Sequence, residues 1–118
     1  MMRAMMAVAM VAGLAAPALA QERRCGWLDN PTPGNWWLED RDGRWTLSTQ
    51  GRAMPPGMDP VTDMTARDWV RPFGNYGYGC ACLTFQADPA TRVVTRIVQA
   101  QQLPIARCAA DRALPPRS

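Results

Sequence analysis

The stretch Trp36-Trp37-Leu38-Glu39-Asp40-Arg41-Asp42-Gly43-Arg44-Trp45-Thr46-Leu47-Ser48 decides the fold class. Two runs rich in tryptophan, leucine and threonine flank Arg41-Asp42-Gly43. Asp-Gly between such runs marks a β-hairpin, because glycine takes the positive φ that a tight turn demands. A two-residue turn sets Leu38 opposite Leu47. It gathers Trp36, Leu38, Trp45 and Leu47 on one face and Trp37, Glu39, Thr46 and Ser48 on the other. A three-residue turn with a bulge would reshuffle these faces. The two-residue turn is preferred because it separates apolar from polar side chains more cleanly.

Beyond the hairpin, Gln50 to Pro60 reads as loop around Pro55-Pro56-Gly57. A short helix is expected over Asp63 to Val70, capped by Thr62 or Asp63, ended by Pro72 and burying Trp69 and Val70. Gly74-Asn75-Tyr76-Gly77-Tyr78-Gly79-Cys80-Ala81-Cys82 then alternates large with tiny residues at period 2. One face of that strand carries Tyr76, Tyr78, Cys80 and Cys82. The other is nearly bare, which lets a backbone or a bulky ring come close. The strand continues through Leu83-Thr84-Phe85, turns at Asp88-Pro89-Ala90-Thr91 and returns as Val93 to Val98. Gln99 to Ala106 suits strand or loop equally.

On the N-terminal side, Asn30-Pro31-Thr32-Pro33-Gly34-Asn35 is expected to be an ordered loop, since two prolines and a glycine oppose helix and central strand. Gln21 to Arg24 is expected to be a flexible lead-in, and Leu114 to Ser118 a fraying tail. These readings predict a mainly β fold: a small disulfide-stapled antiparallel sheet of four or five strands with one short helix.

The first twenty residues read differently. Arg3 precedes an uncharged run from Ala4 to Ala16, Pro17 breaks any helix, and Ala18-Leu19-Ala20 fits the small-x-small rule for signal peptidase. Ala4 to Ala20 is short and interrupted for a membrane span, which wants about 20 strongly apolar residues. A cleaved signal peptide over 1–20, no stable membrane anchor, and a periplasmic or secreted location are therefore expected. Cleavage after Ala20 leaves 98 of the 118 residues, enough for one small domain over 21–118, and the net charge of +3 falls to +2 as Arg3 departs. Near-neutral charge argues against nucleic acid as a partner.

Cys25, Cys80, Cys82 and Cys108 all lie in the exported part. In an oxidising compartment an even set of cysteines in a small domain forms disulfides. A zinc site is the competing reading, but the chain has no histidine and the spacing is not that of a zinc motif. Cys80 and Cys82 point the same way on a strand, so each is expected to pair with Cys25 or Cys108, in either arrangement.

Catalytic chemistry is thinly supplied. Without histidine there is no Ser-His or Cys-His pair, and without lysine there is no Schiff base, no Ser-Lys dyad and no phosphate-loop lysine. Carboxylates remain, with Asp29, Glu39, Asp40, Asp42 and Asp68 as nominal candidates for glycoside hydrolysis. None forms a recognisable catalytic set, so no enzyme, metal or cofactor is expected.

Recognition has better material. Trp36 and Trp37 are strand neighbours and face opposite ways, so one of them leaves the core layer. An exposed indole next to Asn30, Asn35, Tyr76 and Tyr78 would make a stacking platform for a sugar ring or a partner's side chain. Asn30, Asn35, Trp36, Trp37, Tyr76 and Tyr78 are thus the candidate binding residues. The function expected is a non-catalytic binding or inhibitor-like module with a protein partner. The alternative is an envelope glycan-binding protein or a weak carboxylate-based hydrolase.

Cys25-Gly26-Trp27, Asn30-Pro31-Thr32-Pro33, Asn35-Trp36-Trp37-Leu38 with Asp40, Asn75 to Cys82, and Leu103-Pro104 with Cys108 form a pattern that covers nearly all of the exported part. It resembles the small exported bacterial proteins grouped as domain-of-unknown-function family 4087. The resemblance implies a single exported domain carrying the same four cysteines; the family has no assigned activity, so the resemblance leaves the function open.

Overall fold

In the computed structural model, which describes residues 20–117, the hairpin is present with its faces as expected and its register slipped. Strand β2 (Asn35–Asp40) and strand β3 (Gly43–Ser48) pair with Leu38 opposite Trp45, not Leu47. The turn residues are Arg41-Asp42, one position early, because Asp40 closes the turn with its own side chain: Asp42 N donates to Asp40 Oδ1 at 2.8 Å. Asp40 Oδ2 also accepts from Trp45 Nε1 at 3.1 Å, which locks the pairing. A slip of two residues keeps side chains on their own face, so Trp36, Leu38, Trp45 and Leu47 are buried together. Ser48 departs from expectation. A register shift between Trp36 and Trp37 sets Ser48 opposite Trp36 and turns it inward, where it is buried.

Around this hairpin run β1 (Ala20–Thr32), β4 (Val70–Phe73), β5 (Tyr76–Asp88) and β6 (Val93–Leu103). The architecture is mainly β, as expected, with one sheet of six strands ordered β1-β2-β3-β6-β5-β4. β1 also pairs with β5, so β1, β2, β3, β6 and β5 close on themselves. Neighbours are antiparallel except at the closure, where β3 meets β6 in parallel through Thr46 and Val93. This is the connectivity of an OB-type Greek-key barrel, with β4 added beside the Tyr76 end of β5.

β1 corrects two expectations. Gln21 to Arg24 are strand residues, paired in register with Gln86 to Leu83 of β5. Asn30 to Thr32 also belong to β1. Pro31 is tolerated there because it sits in an irregularity of the β1–β2 ladder between Asp29 and Thr32, where a missing N–H costs no ladder bond. Only Pro33-Gly34 form the turn.

The expected helix over Asp63 to Val70 is displaced. α1 (Asp59–Thr62) starts earlier, with proline in its first turn where the missing N–H is free, and runs into a 3₁₀ turn over Asp63–Ala66. Arg67 is already extended, Trp69 is half-buried outside the helix, and Val70 opens β4. Met58, Val61 and Met64 from this segment plug one side of the core beside Leu28, Leu38, Leu83, Phe85, Val94 and Ile97. The bare face of β5 is used as predicted. A Cβ on Gly77 would strike the Val70 carbonyl of β4, and one on Gly79 would stand 2.6 Å from the Trp69 ring.

β6 extends to Leu103, which resolves the first part of Gln99 to Ala106 as strand, and α2 (Ile105–Ala109) follows. The segment beyond does not fray as expected. Leu114 is buried, the Pro115 carbonyl accepts from Trp27 Nε1 at 2.8 Å, and Arg117 is ion-paired. The disulfides are Cys25–Cys82 and Cys80–Cys108. The first joins two residues directly opposed on β1 and β5; the second ties α2 to the outside of the barrel. Of the expected signal peptide, residues 1–19 lie outside the described part.

Candidate functional site

Strand alternation sorts β1 cleanly. Leu28 points into the barrel, while Cys25, Trp27 and Asp29 point out. On β2 the outward residues are Trp37 and Glu39. Register then builds a row across the outer surface: Thr46, Trp37, Asp29, Tyr78 and Val70 stand opposite one another on β3, β2, β1, β5 and β4. Next to it runs a second row of Arg44, Glu39, Trp27, Cys80 and Leu103.

α2 and the residues after it lie over the second row. Trp27, Cys80, Cys108 and Leu114 form a small apolar cluster separate from the barrel core, with Tyr78, Leu103 and Ile105 against it. Trp27 meets Tyr78 edge-on, ring centres 5.3 Å apart. At the border of the rows sits Arg117. Its Nη2 donates to Asp29 Oδ2 at 2.7 Å and to Glu39 Oε2 at 3.1 Å, and its guanidinium carbon lies 5.5 Å from the Tyr78 ring centre.

Asp29 is 5 % exposed. Burial pushes its carboxyl up to about 6, against the downward pull of Arg117, which pairs with it. Nearby Glu39 adds to the rise, and Arg44 opposes it.

The candidate residues separate into two groups. Asn30 is buried and donates through Nδ2 to the carbonyls of Thr32 at 3.0 Å and Asn35 at 2.9 Å, holding the β1–β2 turn. Asn35 donates to Thr32 Oγ1 at 2.5 Å and accepts from Gln50 N at 2.9 Å. Trp36 is core, tilted against Trp69 at 5.9 Å. These three are committed to the fold. Trp37, Tyr76 and Tyr78 are half-buried. Trp37 and Tyr78 share the outer row with Asp29 between them, and Arg44 stacks on Trp37 at 4.1 Å from its ring centre.

Trp27, Asp29 as a face residue, Glu39 and Arg117 were not among the binding candidates. The signal for two of them was available: once Cys25 to Asp29 is read as strand, Trp27 and Asp29 must share a face with Cys25. Arg117 carried no such signal. Among the described residues, no three His, Cys, Asp or Glu side chains converge as a metal site requires.

Fold and site together define a small disulfide-stapled β-barrel protein with an aromatic and acidic outer face. Residues 19–115 match the family described as "Protein of unknown function (DUF4087)", and the chain belongs to that family. No curated protein and no solved structure matches it.

Proposed function

We propose that the protein is an exported, non-catalytic binding module that recognises a protein partner through the outer row of Trp37, Asp29 and Tyr78. The observation that carries this reading is the row itself: a half-buried indole and a half-buried phenol flank a buried carboxylate on three adjacent strands, two of which, β1 and β5, are joined by Cys25–Cys82. Tryptophan and tyrosine are among the residues enriched in interaction hot spots. Export is supported by the two disulfides, which belong to an oxidising environment. Among the described residues, no helix is long and apolar enough to cross a membrane. The absence of histidine and lysine supports recognition over catalysis.

Affinity capture from envelope extract, with residues 21–118 as bait, tests it. One saturable protein partner, lost with Trp37→Ala while the fold is kept, is the expected result. Capture unaffected by Trp37→Ala and Tyr78→Ala would overturn it. Cell fractionation with N-terminal sequencing tests export, expecting Gln21 as the first residue.

The glycan reading draws on one specific feature: Asp29 and Glu39 both bond one Arg117 nitrogen, so two carboxylates of different surroundings stand close together beside aromatic rings. Paired carboxylates are the apparatus of glycoside hydrolysis. Incubation with peptidoglycan fragments separates the readings. New reducing ends would establish hydrolysis, and retention without release would establish glycan binding.

A further inference from the structure

Arginine–carboxylate pairs are frequently bidentate, with two parallel bonds from the fork to one carboxylate. At Arg117 both ion pairs leave a single nitrogen, Nη2, and run to carboxylates on neighbouring strands, while Nε is buried with no partner. The rings of Trp27 and Tyr78 stand 5.8 and 5.5 Å from the guanidinium carbon. Two convergent carboxylates beside two aromatic rings are suited to an organic cation, and a planar guanidinium can lie against one ring while its donors reach both carboxylates. The resident group fits the chemistry of the site but not its full hydrogen-bonding capacity.

We propose that Trp27, Asp29, Glu39 and Tyr78 form a recognition site for an arginine side chain of a partner protein, and that Arg117 is the stand-in that fills it in the free protein. This rests on the binding-module reading and names the partner's chemistry. Two further observations support it. Beside Arg117 an open cavity of about 370 Å³, lined by Asp29, Pro31, Pro72, Tyr78 and Pro116, offers room for the backbone of an incoming segment. Residues 115–117 are also lightly attached: among the described residues they pair with no strand, and their backbone is held by the Pro115 carbonyl accepting from Trp27 Nε1. Arg117 can therefore leave without disturbing the sheet or the Cys80–Cys108 link.

An internal occupant lowers apparent affinity by the fraction of time the site is open. Removing it should tighten binding of an external guanidinium. The test is an NMR titration of residues 21–118, oxidised, with Nα-acetyl-arginine methylamide, reading the Trp27 indole N–H. Arg117→Ala is expected to bind at least about ten-fold tighter than the unaltered protein. The neutral citrulline analogue should not bind, the lysine analogue should bind more weakly, and Asp29→Asn with Glu39→Gln in the Arg117→Ala background should abolish binding. Equal affinity in Arg117→Ala and the unaltered protein, or equal binding of citrulline, overturns the proposal. Should Arg117→Ala lose its dispersed spectrum, Arg117→Gln carries the same test with the side-chain length kept. A silent titration with Trp37-dependent partner capture intact overturns the arginine site and leaves the binding reading standing; loss of both overturns both.

Discussion

Asp29 Oδ2 and Arg117 Nη2 lie 2.7 Å apart although 88 residues separate them in the chain. The bond joins the position of β1 that stands opposite Trp37 of β2 to a segment beyond the last helix. It explains why residues 110–117 lie on the barrel instead of trailing from it: Leu114 supplies the apolar contact, and Arg117 neutralises a buried carboxylate on the outer side of β1.

Removing that neutralisation strands Asp29. Arg117→Ala should therefore destabilise the fold by about 1–2 kcal/mol, less than a fully buried pair because Arg117 keeps some solvent contact. Asp29→Asn in the same background should recover most of the loss. Urea unfolding of the two single variants and the double variant measures the coupling, and additive effects would show that the pair contributes nothing.

The Asp29 carboxyl also makes stability depend on pH. Its folded value of about 6 lies above its ordinary value of 3.8. Between those values the folded chain holds a proton that the unfolded chain has released. The favourable contribution is complete below about pH 4 and is lost as pH rises through about 6, an effect of roughly 2–3 kcal/mol at most. Unfolding free energies from pH 3.5 to 7.5 should show this fall, and Asp29→Asn should remove it.

Trp36 and Trp37 are adjacent and should behave as opposites. Trp36→Ala opens the barrel core beside Trp69 and should cost about 3–5 kcal/mol. Trp37→Ala removes a half-buried outer ring and its contact with Arg44, a loss of about 1–2 kcal/mol. Thermal melts of both variants test this, with near-equal losses as the contrary result.

The two disulfides should also differ. Each closes a long loop, 57 residues for Cys25–Cys82 and 28 for Cys80–Cys108. In the chain-entropy model these are worth about 4 and 3.5 kcal/mol. Their structural effects should part company, because Cys25–Cys82 links strands already paired, whereas Cys80–Cys108 ties α2 to β5, a strand that is not its neighbour in the chain. Replacing Cys80 and Cys108 by Ser should leave the far-ultraviolet circular dichroism of the sheet intact while making Trp27 accessible to acrylamide quenching. Unchanged quenching would show that Leu114 and Arg117 suffice to hold the segment.

The sequence by itself determined what depends on local pattern. Period-2 alternation identified the hairpin faces, the face shared by Cys80 and Cys82, and the glycine face of β5 that admits Trp69. Composition removed the chemistry that needs a histidine or a lysine. Tertiary structure decided whatever depends on partners distant in the chain. β1 has little alternation to announce it and Pro31 to argue against it, and it becomes a strand because β5 and β2 supply partners on both sides. The pairing of the cysteines followed from which residue lies opposite Cys82 across that ladder. The outer site was invisible for the same reason: Trp27, Asp29, Glu39, Tyr78 and Arg117 come from four separate segments, and only closure of the barrel and the return of the chain over it bring their charges and rings within reach.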